Sequence, residues 1–193
     1  MGSMRLFAAV LPPEDVIGAL AYEIAGLRKA PGADRLRWTQ RPGWHFTLAF
    51  YGEVDEEVVP ELSARLEKAA RRTEPFALAL RGGGQFGHGK ALWTGAEGDL
   101  ATMRLLAERA EAAARRAGVP MGEHRSYKAH LTVARGRGPV DVRSYVRALA
   151  DFTSPAWTVE ELVLVRSHLP KSGEAGAQPR YEPVARGPLR GAG

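Results

Sequence analysis

The sequence predicts an α+β fold of two duplicated halves, each running strand, helix, strand, helix, strand. Two short strings, at 45–49 and 130–134, both read His-x-Thr-x-Ala inside apolar, β-branched or aromatic runs. Such alternation is typical of a strand. Amphipathic stretches with helical spacing stand before and after each string. We therefore expect two antiparallel-rich sheets around a central cleft, with the helices packed outside.

The elements of the first half follow from these periodicities in order. A Pro at the start favours a helix after the first strand, and Gly52 is expected to close the strand that carries the first string. The predicted ranges are a strand at 5–11, a helix at 13–29, a strand at 44–51, a helix at 55–72 and a strand at 76–80.

A glycine-rich segment at 81–90 separates the two halves. It lacks the Lys-Ser/Thr ending of a phosphate-binding P-loop, and no helix pattern follows it. We predict a mobile hairpin loop there.

The second half repeats the order of the first. Gly118 and Pro120 end its long helix. The predicted ranges are a strand at 91–95, a helix at 99–117, a strand at 129–135, a helix at 140–149 and a strand at 157–167. A flexible loop at 172–178 and a last short strand at 181–184 follow.

The domain organisation predicted from this pattern is simple. Residues 4–186 form a single domain of two pseudo-symmetric lobes. Residues 1–3 are expected to be a cloning scar ahead of Met4, and residues 187–193 a disordered tail.

Composition narrows the function classes. The 193 residues contain no Cys, which excludes disulfides, thiolate metal sites and cysteine nucleophiles. No apolar run approaches the roughly 20 residues that span a bilayer, and no export signal is seen, so we expect a cytoplasmic protein without membrane contact. The net charge is +5, with 27 Lys and Arg, and Arg offers a planar fork for phosphate oxygens.

The two strings carry the candidate chemistry. Side chains two apart on a strand project to the same side, so each string presents an imidazole beside a hydroxyl. His45 and His130 are the predicted catalytic residues, as an acid and a base acting on a phosphate. Thr47 and Thr132 are expected to bind the phosphoryl oxygens. We expect Arg135 to continue the same alternation into the cleft as a further phosphate ligand.

With these two motifs the chain resembles the 2H phosphoesterases. Among them it is most similar to the RNA 2′,3′-cyclic phosphodiesterases, also called the 2′-5′ RNA ligase family. The resemblance is carried by residues 5–10, 12–14, 45–54, 92–93, 130–135 and 180–181, with Phe86, Arg125 and Ser167. Two positions depart from the family pattern, Tyr51 where Leu is usual and Ala129 where Pro is usual.

The resemblance implies metal-independent hydrolysis of RNA 2′,3′-cyclic phosphate ends to a 2′-phosphate, with weak 2′-5′ ligation as the reverse reaction. It implies His45 as the proton donor and His130 as the acceptor. The expected partner is an RNA or oligonucleotide with a cyclic phosphate end, bound by a monomer that uses no cofactor and no metal.

Other substrates and other function classes fit the same residues. The phosphodiester could belong to a small cyclic nucleotide, to ADP-ribose 1″,2″-cyclic phosphate or to a 2′-5′ oligoadenylate. The chain could instead be a non-catalytic RNA-end-binding module. It could also be a His-based metal-binding protein, which the missing acidic ligands disfavour.

Three aromatic residues have two possible roles: Trp38, Phe86 and Trp93 could stack a terminal base or fill the core. His88, His124 and His168 lack a Thr partner, and we place them in loops.

Overall fold

The computed structural model describes residues 2–171 and 177–192 and confirms the predicted α+β class. Two antiparallel sheets and four helices make up the described part of the chain. The strands are β1 (Ser3–Val10), β2 (Leu36–Trp38), β3 (Phe46–Asp55), β4 (Phe76–Phe86), β5 (Ala91–Gly98), β6 (Leu131–Gly136), β7 (Trp157–Val159), β8 (Glu161–His168) and β9 (Arg180–Pro188). The helices are α1 (Glu14–Leu27), α2 (Val59–Arg71), α3 (Leu100–Arg116) and α4 (Arg143–Leu149).

The duplicated halves exchange their last strands. The first sheet has the order β3-β1-β8-β9, and the second β2-β6-β5-β4-β7. In each half the first strand pairs with the strand of the His-x-Thr motif, β1 with β3 and β5 with β6. The third strand of each half, β4 or β8, pairs within the sheet of the other half. Both sheets therefore contain strands from both halves.

The helices bury their apolar faces on these sheets. Met103, Leu106 and Ala110 of α3 are fully buried, and burial of each large side chain contributes roughly 1.5–3 kcal/mol. Asp99 caps this helix by accepting a hydrogen bond of 3.0 Å from the Thr102 backbone N–H. The Tyr51 hydroxyl donates to the Ala110 carbonyl over 2.9 Å and so ties β3 to α3.

Both motif strands carry a β-bulge at the same place. Thr47 and Ala49 face consecutive residues of β1, so Leu48 is the extra residue. Thr132 and Ala134 face consecutive residues of β5, so Val133 is the extra residue there. The bulge shifts the alternation by one residue. As a consequence, residues 46–50 of β3 and residues 131–135 of β6 show the same pattern of burial. In each strand the five side chains are buried, half-buried, buried, buried and exposed, in that order.

Three strand predictions were wrong in extent. Gly52, with φ of 70°, does not end β3, because the strand bulges at Tyr51 and continues to Asp55. The glycine-rich segment is strand as far as Phe86, and only residues 87–90 form a turn. The strand expected at 157–167 breaks at Glu160 into β7 and β8, which belong to different sheets.

The predicted disordered tail is also wrong for the part that the structure describes. Strand β9 runs to Pro188, and Leu189 is 1% exposed. The Leu189 N–H donates to the Glu160 carbonyl over 2.8 Å, and the Arg190 N–H to the Thr73 carbonyl over 2.9 Å. Burial of one Leu and two backbone hydrogen bonds therefore hold the tail. Residue 193 and most of the loop predicted at 172–178 lie outside the described residues.

None of the helices in the described ranges has the length and apolar character needed to cross a membrane.

Candidate active site

A cavity of about 450 Å³ lies between the two sheets. Five residues singled out in the sequence line it: His45, Thr47, His130, Thr132 and Arg135. Thr47 lies in β3 of one sheet, and Thr132 and Arg135 lie in β6 of the other; each His is the residue just before its strand. Two distant segments of the chain thus converge on one space.

Aromatic rings hold His45 in place. Its imidazole stacks on the Phe7 ring with centroids 4.6 Å apart and planes at 28°. The Tyr181 ring meets it edge-on at 5.5 Å. The ring also hydrogen-bonds the Gly43 carbonyl, two residues back in the chain. These contacts leave the imidazole little freedom to turn.

His130 has a corresponding arrangement. Its Nδ1 lies 2.9 Å from the Lys128 carbonyl, again two residues back. A carbonyl oxygen can only accept, so Nδ1 carries a hydrogen and Nε2 is the nitrogen available to exchange a proton. Phe86 contacts the ring edge-on at 4.9 Å, and the Trp93 centroid lies 6.1 Å away.

The electrostatic setting of His45 favours the neutral ring. Burial, followed by the positive charge of Arg135, lowers its pKa from 6.5 to about 4. The hydrogen bond to Gly43 opposes this shift, and His130 adds to it. The two imidazoles are therefore close enough to interact, and His45 is uncharged near pH 7 in the free cleft.

Three arginines make the cavity basic. Arg5, Arg37 and Arg135 all line it, and none of its described lining residues is an Asp or Glu. Burial raises the pKa of Tyr181, and these three guanidinium groups oppose that effect. Guanidinium groups with no competing carboxylate suit an anionic ligand that carries phosphate oxygens.

Arg135 reaches the cavity for a reason other than the predicted one. Strict alternation from His130 and Thr132 selects Ala134, which is fully buried. The bulge at Val133 instead turns Arg135 to the side of Thr132. Arg37 was missed in the sequence because it reaches the cavity only by pairing opposite Arg135 across β2 and β6.

The first motif places Phe50 at the position equivalent to Arg135. Phe50 is 50% exposed and lines the cavity, and the Arg5 guanidinium carbon lies 4.8 Å from its ring centroid. The signal for Phe50 and Arg5 in the sequence is only their family-like context. Their placement depends on the bulge at Leu48 and on the pairing of β1 with β3.

Gln178 and Pro179, which lead into β9, line one side of the cavity. The Gln178 amide donates to the Trp38 carbonyl over 2.8 Å and accepts from the Gln40 N–H over 3.0 Å. Trp38 and Gln40 lie at the end of β2 in the second sheet, whereas β9 belongs to the first. One side chain therefore connects the two walls of the cleft.

The other three histidines do not line this cavity. His88 is in the turn after β4 and His124 in the segment after α3, as predicted. His168 is the last residue of β8 rather than a loop residue, and its Nε2 lies 2.9 Å from Glu182. Trp38 lines the cavity, and its indole N–H donates a hydrogen bond to the Ala33 carbonyl.

Within residues 2–171 and 177–192, no group of three or more His, Cys, Asp or Glu side chains is placed to hold a metal ion.

Comparisons of the sequence with known proteins agree on one family. A model of the 2′-5′ RNA ligase superfamily matches residues 13–170. An RNA 2′,3′-cyclic phosphodiesterase of Thermus thermophilus is 33% identical over 97% of this chain and 91% of its own length. One of Geobacillus stearothermophilus is 32% identical over 80% of this chain. The match spans only 48%, about half, of the length of the Geobacillus protein.

A solved structure has the same fold. The crystal structure of TT0787 of Thermus thermophilus superposes with a TM-score of 0.76 at 31% identity, over 97% of this chain and 99% of that one.

Proposed function

The chain belongs to the 2′-5′ RNA ligase superfamily, and on that premise we propose that it hydrolyses RNA 2′,3′-cyclic phosphate ends to 2′-phosphates. The observation that carries the proposal is the convergence of two His-Thr pairs, from separate sheets, on one basic cavity. The relatives named RNA 2′,3′-cyclic phosphodiesterase support the choice of substrate.

The proposed reaction needs two proton transfers. One imidazole takes a proton from water as the water oxygen bonds to phosphorus, and the other gives a proton to the 3′ oxygen as the P–O3′ bond breaks. Thr47 and Thr132 donate hydrogen bonds to the nonbridging oxygens, and Arg135 balances their charge. For 2′-5′ ligation the 5′ hydroxyl of a second RNA takes the place of water: its oxygen loses a proton and bonds to phosphorus as the P–O3′ bond breaks and the 3′ oxygen gains a proton, which leaves a 2′-5′ linkage.

The resemblance assigns proton donation to His45 and proton acceptance to His130. Because the pKa of His45 is about 4 in the free cleft, His45 does not carry this proton near pH 7 before substrate binds. A phosphate anion beside the ring favours the charged imidazole and raises that pKa. In this proposal, binding of the substrate therefore prepares the donor.

Turnover of an oligonucleotide ending in a 2′,3′-cyclic phosphate, measured in EDTA, tests the proposal. His45→Ala and His130→Ala should each lower turnover by about 10²–10⁴-fold, the usual contribution of one proton transfer. His124→Ala is the matched control, because His124 is exposed and lies outside the cavity. Product analysis should place the phosphate on the 2′ oxygen.

Other outcomes select the alternatives. Tight binding by the wild-type chain without turnover would favour a non-catalytic RNA-end-binding module. Turnover of cyclic mononucleotides or 2′-5′ oligoadenylates alone would favour a small-nucleotide phosphodiesterase. Rates unchanged by both His substitutions would refute the paired-histidine mechanism.

A further inference from the structure

A second basic cavity lies beside His130, and the proposed chemistry makes no use of it. It has a volume of about 320 Å³. It is an open cavity bounded by Arg81 of β4, by β5, by the first turns of α3 and by residues 127–129, which lead into β6. We call it the α3 cavity.

Positive charge surrounds the α3 cavity. Arg81, Arg104 and Lys128 line it, and no Asp or Glu is found among its described lining residues. Arg81 reaches Glu97 only at 4.0 Å, where both side chains are about half exposed. No described carboxylate lies within 4.0 Å of Arg104 or Lys128. The cavity therefore favours an anion.

Two buried donors at the α3 cavity have no acceptor. The Trp93 indole N–H and the Tyr127 hydroxyl both lack a hydrogen-bond partner among the described residues. Trp93 is 8% exposed. Burial raises the pKa of Tyr127, so that its hydroxyl keeps its hydrogen. Buried polar groups in native proteins are normally paired, but both atoms are closed to solvent in this conformation, so a ligand oxygen can accept from them only after the Trp93 or Tyr127 side chain turns toward the cavity.

The α3 cavity lies beside the residues that surround His130, although no described residue lines both cavities. Trp93 faces Thr132 across β5 and β6, and its ring centroid lies 6.1 Å from that of His130. The Lys128 ammonium lies 4.8 Å from the Trp93 ring centroid, and the Lys128 carbonyl accepts from His130. A group bound in the α3 cavity therefore lies next to the residues that hold His130.

We propose that the α3 cavity binds the first backbone phosphate upstream of the cyclic phosphate, and that the substrate is an oligonucleotide rather than a cyclic mononucleotide. The inference rests on the proposed function, because it places the cyclic phosphate between His45 and His130. One ribose then separates that phosphate from the 5′-phosphate of the same nucleotide. A cyclic mononucleotide without a 5′-phosphate leaves the α3 cavity empty.

Kinetics on two substrates test this proposal. Cytidine 2′,3′-cyclic phosphate is compared with the dinucleotide CpC ending in the same cyclic phosphate. The wild-type chain should prefer the dinucleotide in kcat/KM. Arg104→Gln should lower kcat/KM for the dinucleotide by about tenfold, the usual worth of one charged hydrogen bond, and leave the mononucleotide unchanged. Arg116→Gln is the control, since it removes one charge from the same helix roughly 18 Å away.

Two results would overturn the proposal. The first is a wild-type chain that turns over both substrates with the same kcat/KM. The second is an Arg104→Gln chain in which the rates on both substrates fall together, which would mean that Arg104 acts through the fold or through His130.

A binding measurement separates this inference from the proposed function. CpC ending in a 2′-phosphate and cytidine 2′-phosphate are titrated against each chain at several salt concentrations. Arg104→Gln should weaken the dinucleotide alone and reduce the slope of log affinity against log salt by about 1. This result without any turnover would reject the proposed hydrolysis and keep the α3 cavity as a phosphate site. Equal weakening of both ligands would reject the site.

Discussion

His45 and His130 hold the same relation to their own backbone but differ in their surroundings. Each ring bonds the carbonyl two residues earlier, which fixes the orientation of the ring. His45 lies against Phe7 and Tyr181 and beside a guanidinium, whereas His130 lies against Phe86 and Trp93 with an ammonium over the indole. The duplicated motif therefore yields two rings in unequal surroundings, as the proposed acid and base require.

The first prediction concerns the pKa of His45. Arg135→Gln removes a positive charge that lowers it, so the pKa should rise, as followed by NMR titration of the His45 ring. Saturating cytidine 2′-phosphate should raise the pKa of His45 in the wild-type chain, because the phosphate places negative charge beside the ring. Arg137→Gln serves as the control, because Arg137 is exposed and does not line the cavity. An unchanged pKa in Arg135→Gln would contradict the electrostatic cause.

The second prediction concerns stability in acid. The pKa of His45 is about 4 when folded, against 6.5 as its ordinary value, so the unfolded chain binds more protons between these pH values. The His45 contribution to the free energy of unfolding should fall as the pH drops through 6.5 and level off below about 4. Urea titrations at several pH values measure it. His45→Gln should remove this component, and an identical pH profile in that variant would contradict the prediction.

At the scale of elements, the bulges decide which side chains face the cleft. If the same residues formed regular strands without bulges at Leu48 and Val133, Ala49 and Ala134 would follow the two Thr residues into the cavity. With them, Phe50 and Arg135 occupy those places. The same backbone device thus presents an aromatic ring on one wall and a guanidinium on the other.

The third prediction concerns the glycine-rich strand β4. A Cβ at Gly84 would lie 2.3 Å from the Trp93 ring, so Gly84→Ala must displace an indole that packs beside His130. Overpacking of this kind costs roughly 1–3 kcal/mol. We expect that loss in denaturant unfolding, together with a lower kcat. Gly122→Ala, where a Cβ meets nothing within 4 Å, should change neither quantity. A stable and fully active Gly84→Ala chain would refute the packing role of Gly84.

At the scale of the whole molecule, the cleft depends on how the two sheets are joined. The exchange of β4 and β8 places strands of both halves in each sheet. Gln178 adds a direct connection between the segment before β9 and the end of β2. Because the two His-Thr pairs lie on different sheets, their separation is set by these connections.

The fourth prediction tests the Gln178 connection. Gln178→Ala removes two hydrogen bonds, each worth about 0.5–1.5 kcal/mol, and loosens one wall of the cavity. We expect a small loss in the free energy of unfolding and a larger rise in KM. Gln40→Ala is the control. It shortens an exposed side chain but keeps the Gln40 backbone N–H, which donates a hydrogen bond to the Gln178 side-chain oxygen. Equal KM values in the two variants would rule out this role.

Local patterns were enough to predict the fold class and to bring the four residues of the two His-x-Thr motifs to one cavity. Alternation places His45 with Thr47 and His130 with Thr132, since neighbours two apart on a strand share a face before any tertiary contact forms. The repetition of strand and helix periods around both strings predicts the two halves. These properties depend only on residues close together in the chain.

Only the tertiary structure decided which further groups join the site. Arg37 and Phe50 reach the cavity through strand register, Arg135 through a bulge, and Gln178 through a contact between sheets. The lowered pKa of His45 requires burial by Phe7 and charge from Arg135, and Leu189 is ordered by its place in the core. Each of these features depends on pairing between residues far apart in the chain, and the energy of such pairing is not encoded in any local stretch.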